Sequence, residues 1–142
     1  MRLFFDQREG IQMAVIESKK KLGFGMMRLP KRTDTENGAL DNIDVEQVKE
    51  MVDTFITRGF TYFDTAWMYH NKNSEQVVKL ALTDRYSHDR YTLADKYHLA
   101  YVKDGTPEEV FLAQLERCGV EYFDYYLLHD MGHDNYGKFQ EV

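Results

Sequence analysis

Apolar and polar positions along this chain follow two different periods. From Val45 to Gly59, the run VEQVKEMVDTFITRG sets Val45, Val48, Val52, Phe55 and Ile56 on one face at helical spacing. Asp44 precedes it as a cap, Gln47 follows three positions later as in a capping box, and Gly59 supplies the stop. A second helix begins at Ser74, with Val77, Val78 and Ala81 inward and Glu75 near the positive end of the helix dipole. The third carries the fullest start signal. Thr106, Pro107 and Glu109 stand at N-cap, N1 and N3, and Phe111, Leu115 and Cys118 form a stripe that ends at Gly119.

Between the helices lie short apolar, aromatic-rich runs, KLGFGMM, TYFDTA, YTLAD and YFDYYLLH, which predict strands. They are nearly continuous rather than alternating, as expected for parallel strands covered on both faces. The order βαβαβαβ leaves an open doubly wound sheet or a βα barrel. The strand-end positions Gly25, Asp64, Lys96 and His129 are 39, 32 and 33 residues apart. A closed eight-unit barrel uses about 31 residues per unit, so the chain holds about four strands. An open dinucleotide-binding sheet places a Gly-rich phosphate turn after its first strand. Here that position reads GFGMMRLP, and Pro30 works against an immediate helix start. A flavodoxin-like sheet likewise needs a phosphate loop that these residues do not supply. The fold class predicted is α/β, a partial (β/α)8 TIM barrel made of about the first four βα units. Phe24, Phe63, Leu93 and the aromatics of YFDYYLL are expected to point inward and lose the opposite wall of the core. Lys31 to Asn42 reads as a polar loop, and Gly132 to Val142 has no clear period.

Composition narrows the functional classes. Of 142 residues, 43% are hydrophobic and 30% charged, and 10 Tyr, 9 Phe and 1 Trp are too many aromatics for a disordered chain. The net charge of −6, with no basic stripe beyond Lys19 to Lys21, argues against nucleic acid as partner. No apolar run approaches the roughly 18 residues of a membrane span, and no signal-peptide core opens the chain, so no membrane role and a cytoplasmic location are expected. The single Cys118 excludes an internal disulfide framework, a Cys-rich zinc site and an iron–sulfur cluster within these residues. His129 and His133 are spaced i, i+4, but they follow a strand and flank Gly132, so no metal site is expected.

Four residues at or just after strand ends invite a chemical reading: Asp64, Tyr69, Lys96 and His129. In a βα barrel the carboxyl ends of all strands open onto one face, where active sites lie. Charges such as Asp64 and Lys96 inside apolar strands are costly unless paired. An ammonium beside a phenol stabilises the phenolate, a carboxylate can hold that ammonium, and an imidazole can bond a substrate oxygen. Trp67, Met68 and His70 line a substrate mouth or pack the loop.

These residues resemble the aldo-keto reductase family, nicotinamide-dependent carbonyl reductases on an eight-stranded βα barrel. The matching stretches are KLGFGMMRLP, GFTYFDTAWMYHNKNSE, YTLADKYH and QLERCGVEYFDYYLLHDM, which with their intervening helices span residues ~20–131. The resemblance implies reduction of aldehydes or ketones by hydride transfer from NADPH or NADH. It makes Tyr69 the general acid, Lys96 the group that tunes it, Asp64 the partner of Lys96 beside the nicotinamide ribose, and His129 the residue that positions the carbonyl. Gly25, Met26, Met27 and Asp64 are the implied cofactor contacts. Two departures stand out. Many members have Gly-Thr where this chain has Gly25-Met26-Met27, and Asp95 replaces a smaller residue. Strand alternation points Asp95 away from Lys96, into the outer layer.

Residues 13–142 are thus expected to be the N-terminal half of a reductase barrel. Residues 1–12 (MRLFFDQREGIQ) are expected to be a non-native, disordered leader, because Met13 opens a reductase-like beginning and Arg8-Glu9-Gly10 fits a purine run before a start codon. A half-barrel lacks the loops to which the resemblance assigns the main phosphate contacts. The alternative is therefore a catalytically inactive module for interaction or assembly, self-associating through exposed barrel edges.

Overall fold

The computed structural model describes residues 20–33 and 39–141. The expected leader and the start at Met13 lie outside the described residues. Four parallel strands form one sheet in chain order: β1 (Gly23–Gly25), β2 (Tyr62–Asp64), β3 (Thr92–Tyr97) and β4 (Tyr125–Leu128). The helices between them are α1 (Val45–Thr57), α2 (Ser74–Val78) and α3 (Pro107–Cys118), with a short α4 (Tyr136–Phe139) after β4. A π-helical turn, Lys79–Thr83, prolongs α2. The architecture is a partial (β/α)8 barrel of about four βα units.

The caps act as the residue types predict. Asp44 accepts from the Gln47 amide at 3.0 Å. Thr106 and Glu109 form a reciprocal capping box with Pro107 in the first turn, and Gly119 ends α3 in the left-handed conformation. The inner stripes agree in part. Val48, Val52, Phe55 and Ile56 of α1 are buried. In α3 the buried residues are Val110, Gln114 and Cys118, while Phe111 and Leu115 are only partly covered.

Register fixes which side chains share a face. Gly25 pairs with Asp64, Asp64 with Ala94, and Ala94 with Tyr125. Alternation then puts Phe24, Phe63, Leu93 and Asp95 on the helix side. There Phe24 and Phe63 pack on Phe55 of α1 at ring distances of 5.4 and 5.2 Å, and Phe63 and Leu93 are fully buried. The expectation that these three residues point inward is therefore corrected, since the core lies between sheet and helices. The opposite, inner face carries Tyr62, Thr92, Ala94, Lys96, Tyr125 and Leu127. Tyr62 and Tyr125 meet above β3, ring centroids 5.7 Å apart, which explains why Thr92 and Ala94 beneath them are buried. Gly23 makes room for this, because a Cβ there would lie 2.8 Å from the Tyr62 ring. All of β4 is exposed, so coverage on both faces does not hold for that strand within this chain.

Two segments read as irregular contain local order. Lys31 bridges Ile43 across the polar loop, and Ala39–Asn42 form a turn in which Leu40, Asp41 and Asn42 stand at positive φ. Near the other end, Phe139 of α4 packs on a cluster of Tyr97, Tyr101 and Val110. Among the described residues, no helix is long and apolar enough to cross a membrane.

Candidate active site

The carboxyl ends of β2 and β3 bring Asp64 and Lys96 onto the inner face, and the loop after β2 returns Tyr69 above them. Lys96 Nζ donates to Asp64 Oδ1 at 2.5 Å, to the Thr65 carbonyl at 2.6 Å and to the Tyr69 hydroxyl at 3.3 Å. An ammonium has three donors, and all three are used. Tyr69 accepts from Lys96, so its own hydroxyl proton is left to serve another acceptor. The ammonium also lies 4.9 Å from the centre of the Tyr69 ring.

His129 follows β4, its amide held by the Tyr97 carbonyl at 2.7 Å. Its ring stands edge-on to Tyr69, centroids 5.8 Å apart, and touches no other member of the group by hydrogen bond. Burial pushes its pKa down, with the Lys96 charge and His98 acting in the same direction. A neutral imidazole at pH 7 can donate one hydrogen bond without placing a second cation beside Lys96. His129 Nδ1 is buried and has no protein partner.

The loop that carries Tyr69 is held from several sides. His70 Nε2 accepts from the Leu29 amide at 3.2 Å and its Nδ1 lies 3.5 Å from Asp41 Oδ2. Asn71 donates to Asp41 at 2.9 Å, and Arg117 donates to the Lys72 carbonyl. These ties offset the cost of placing His70, Asn71 and Lys72 at positive φ directly after Tyr69. Trp67 is likewise a loop anchor: its indole donates to Asp104 at 3.2 Å, with Lys72 and Arg117 over the ring at 5.3 and 4.9 Å. Met68 is exposed.

At the end of β1, Gly25 lies beside Asp64 in register, and an added Cβ there would meet open space. A flat ring could approach the backbone at that ledge. Met27 is exposed, whereas Met26 is fully buried in the core. The Met26 amide donates to the Asp64 carbonyl at 2.8 Å and its carbonyl accepts from Ser74 Oγ at 3.3 Å.

Sequence reasoning passed over Thr65 and Ser74. Their hydroxyls lie 2.9 Å apart, both fully buried, and link the Lys96 partner Thr65 to β1 through Met26. The only linear signal was their place inside the DTA and NSE triplets. Among the described residues, no three His, Cys, Asp or Glu side chains converge as a metal site.

Residues 21–142 match the family model described as Aldo/keto reductase family. This chain belongs to that family. Similar solved structures include an aldo-keto reductase from Klebsiella pneumoniae in complex with NADPH, 27% identical with a TM-score of 0.60. The Klebsiella pneumoniae aldo/keto reductase with NADP and acetate is also 27% identical, with a TM-score of 0.59. A thermostable aldo-keto reductase in complex with the inhibitor epalrestat, 22% identical with a TM-score of 0.60, shares the fold. The two Klebsiella alignments cover 78% of this chain and 35% of the other, and the third covers 79% and 39%. The chain thus spans little more than a third of the length of these reductases. No curated protein sequence is significantly similar to it.

Proposed function

We propose that this chain is an N-terminal portion of an NADPH- or NADH-dependent carbonyl reductase that converts aldehydes or ketones to alcohols. The observation that carries this reading is the trio of bonds from Lys96 Nζ to Asp64, Thr65 and Tyr69. A nicotinamide cofactor supplies the hydride when bound. Gly25, Met27 and Asp64 border the open ledge that suits its nicotinamide ribose, and Met26 shapes the ledge through its backbone bonds to Asp64 and Ser74. Tyr69 gives its hydroxyl proton to the carbonyl oxygen as negative charge develops there. Lys96 stabilises the phenolate that remains, Asp64 holds the ammonium in place, and neutral His129 donates to the same carbonyl oxygen.

A second reading is favoured by the exposed β4 strand: a catalytically inactive half-barrel that assembles with another copy through its open edges. A four-stranded sheet cannot close on itself, and eight strands close a barrel.

The two readings separate in one experiment. NADPH oxidation with a reactive aldehyde is measured for the chain alone and for the chain joined to the remaining strands of the Klebsiella pneumoniae reductase. The expected result is turnover by the joined protein and none by the chain alone. Its cofactor contacts would be too few, since two or three missing charge-assisted bonds of roughly 1.5–3 kcal/mol each weaken binding by orders of magnitude. Comparable turnover by the monomeric chain would end the incomplete-barrel reading. A folded but inert joined protein, with the isolated chain forming a defined oligomer, would replace the reductase reading by the assembly reading.

A further inference from the structure

On the helix side of the sheet, directly behind Lys96, lies a closed polar cluster that carbonyl reduction does not use. Asp95 and Glu75 are both fully buried and adjoin the backbone of the same residue: Asp95 holds the Lys96 amide, and the Gln114 amide group that bonds Glu75 also takes the Lys96 carbonyl. Glu75 Oε1 accepts from Gln114 Nε2 at 3.1 Å and its Oε2 accepts from Arg117 Nε. Asp95 Oδ1 accepts from the Lys96 amide at 2.8 Å, and Oδ2 lies 3.9 Å from Cys118 Sγ. The Lys96 ammonium is on the other face of the sheet, fully engaged with Asp64, Thr65 and Tyr69. Two buried carboxyls therefore share one guanidinium. A buried carboxylate with no cation of its own is unstable, and a proton held between the pair removes that charge. Arg117 favours the ionised form of Glu75 against the effect of burial, and Asp95 has no such partner, so Asp95 is the better holder of the proton.

The same cluster grips the backbone of Lys96. The β2–β3 pairing ends at Asp64 and Ala94, whose carbonyl takes the Thr65 amide at 2.9 Å. The Lys96 amide and carbonyl project past that end, where backbone groups need other partners. Asp95 takes the amide. Gln114 Nε2 takes the carbonyl at 3.1 Å while also bonding Glu75, and Gln114 Oε1 accepts from the Tyr126 hydroxyl at 2.5 Å.

We propose that Asp95 is a positioning residue for Lys96, sharing one proton with Glu75 so that an electrically neutral cluster fixes both peptide groups of Lys96. Its value to catalysis rests on the reductase reading, but the grip itself exists without cofactor or carbonyl. The titratable and charged groups facing the pair are Lys96 on β3, Arg117 and Cys118 on α3, Tyr126 on β4 and Tyr101 after β3. Burial pushes Asp95 well up and Glu75 up, and also raises Cys118, Tyr101 and Tyr126, which stay neutral around pH 7.

The sign of the pH effect follows. Asp95 binds its proton more tightly folded than unfolded, so its contribution is complete below the ordinary carboxylate range and is lost as pH rises toward the folded value. Across that window the folding constant should fall about tenfold per pH unit in the native chain, relative to Asp95→Asn. An asparagine amide donates to Glu75 as the protonated acid does, and it does not titrate.

Infrared spectra of the folded chain in deuterium oxide, recorded at rising pH, should keep the carbonyl stretch of a protonated carboxylic acid above the ordinary carboxylate range. The band should vanish in Asp95→Asn and persist in Tyr69→Phe. In nitrogen-15 NMR, the Lys96 amide should shift over the pH range in which the band disappears, and Asp95→Asn should abolish that titration. If Asp95→Asn does not fold, Glu75→Gln, which donates from the other side, should likewise remove band and titration. Absence of the acid band in the folded native chain, its survival in Asp95→Asn, or an Lys96 amide with the same titration in both would overturn the proposal. None of these readouts involves the cofactor, so a missing reductase activity with an intact titration would fault only the functional reading.

Discussion

The two faces of the sheet differ more than any other pair of regions in the chain. On the helix side, Phe63, Leu93 and Asp95 are fully buried, and apolar rings and a satisfied polar cluster fill the space to α1, α2 and α3. On the inner side, Tyr62 and Tyr125 close over the middle of β3, Leu127 is exposed, and the groups proposed to react sit at the rim. The difference divides the labour. The hydrophobic effect that stabilises the chain acts on the helix side, in proportion to the apolar area removed from water. Chemistry is assigned to the inner rim, but the side chains there are positioned from behind. Lys96 shows both halves of this arrangement: its ammonium faces Tyr69, while its peptide groups are fixed by Asp95 and Gln114.

The largest expected effect breaks the inner rim without touching the outer layer. In the joined barrel, Tyr69→Phe removes only a hydroxyl and should lower carbonyl reduction by about 10²–10⁴-fold, the usual worth of a general acid. Cofactor binding and the urea unfolding midpoint should remain close to those of the parent. Near-normal turnover with cofactor bound would sink the role given to Tyr69.

Second in size is damage to the outer layer. Leu93→Ala opens a cavity in a packed core and should destabilise the chain by about 2–5 kcal/mol, read by urea unfolding. The result to set against it is a loss under 1 kcal/mol, which would show that the helix-side core is loosely packed.

How much of this was legible in the sequence depends on distance along the chain. The capping box of Thr106, Pro107 and Glu109 is local, and its residue types alone specify it. Asp64 and Lys96 were legible because charges in apolar strands demand partners, and parallel register brings strand ends together. The side of the sheet taken by Phe24 and Phe63 was not legible from their own runs, which are nearly continuous, and a one-residue change of phase exchanges the faces. For Leu93 the signal was present, because the alternation that turns Asp95 to the outer layer turns Leu93 the same way. The grip on Lys96 was hidden for another reason. Glu75 meets Gln114 and Arg117 across 39 and 42 residues, and no local pattern encodes which polar side chains meet under a sheet.

A smaller effect tests how the helix side is held in place. Thr106→Ala removes the acceptor for the Glu109 amide and one half of the capping box. The expected cost is about 1 kcal/mol in urea unfolding, the ordinary worth of an N-cap. Thr106→Ser should restore most of it, since the hydroxyl is what caps. A full loss in Thr106→Ser would mean that the methyl group, not the bond, stabilises this end of α3.

The smallest effect belongs to the inner face. Leu127 pairs in register with Lys96 yet is 41% exposed, so truncating it removes little buried area. Leu127→Ser should change the stability of the monomeric chain by no more than about 0.5 kcal/mol, the usual scatter at surface positions. The comparison with Leu93→Ala then measures directly how unequal the two faces are. Protein concentration decides what a larger loss would mean. If another copy covers β4, stability is linked to association, and the unfolding midpoint of the native chain must rise with concentration while that of Leu127→Ser does not. A loss above about 2 kcal/mol that is independent of concentration has no such explanation. It would mean that the monomer itself covers Leu127, and the contrast between an occupied and an open face would be wrong.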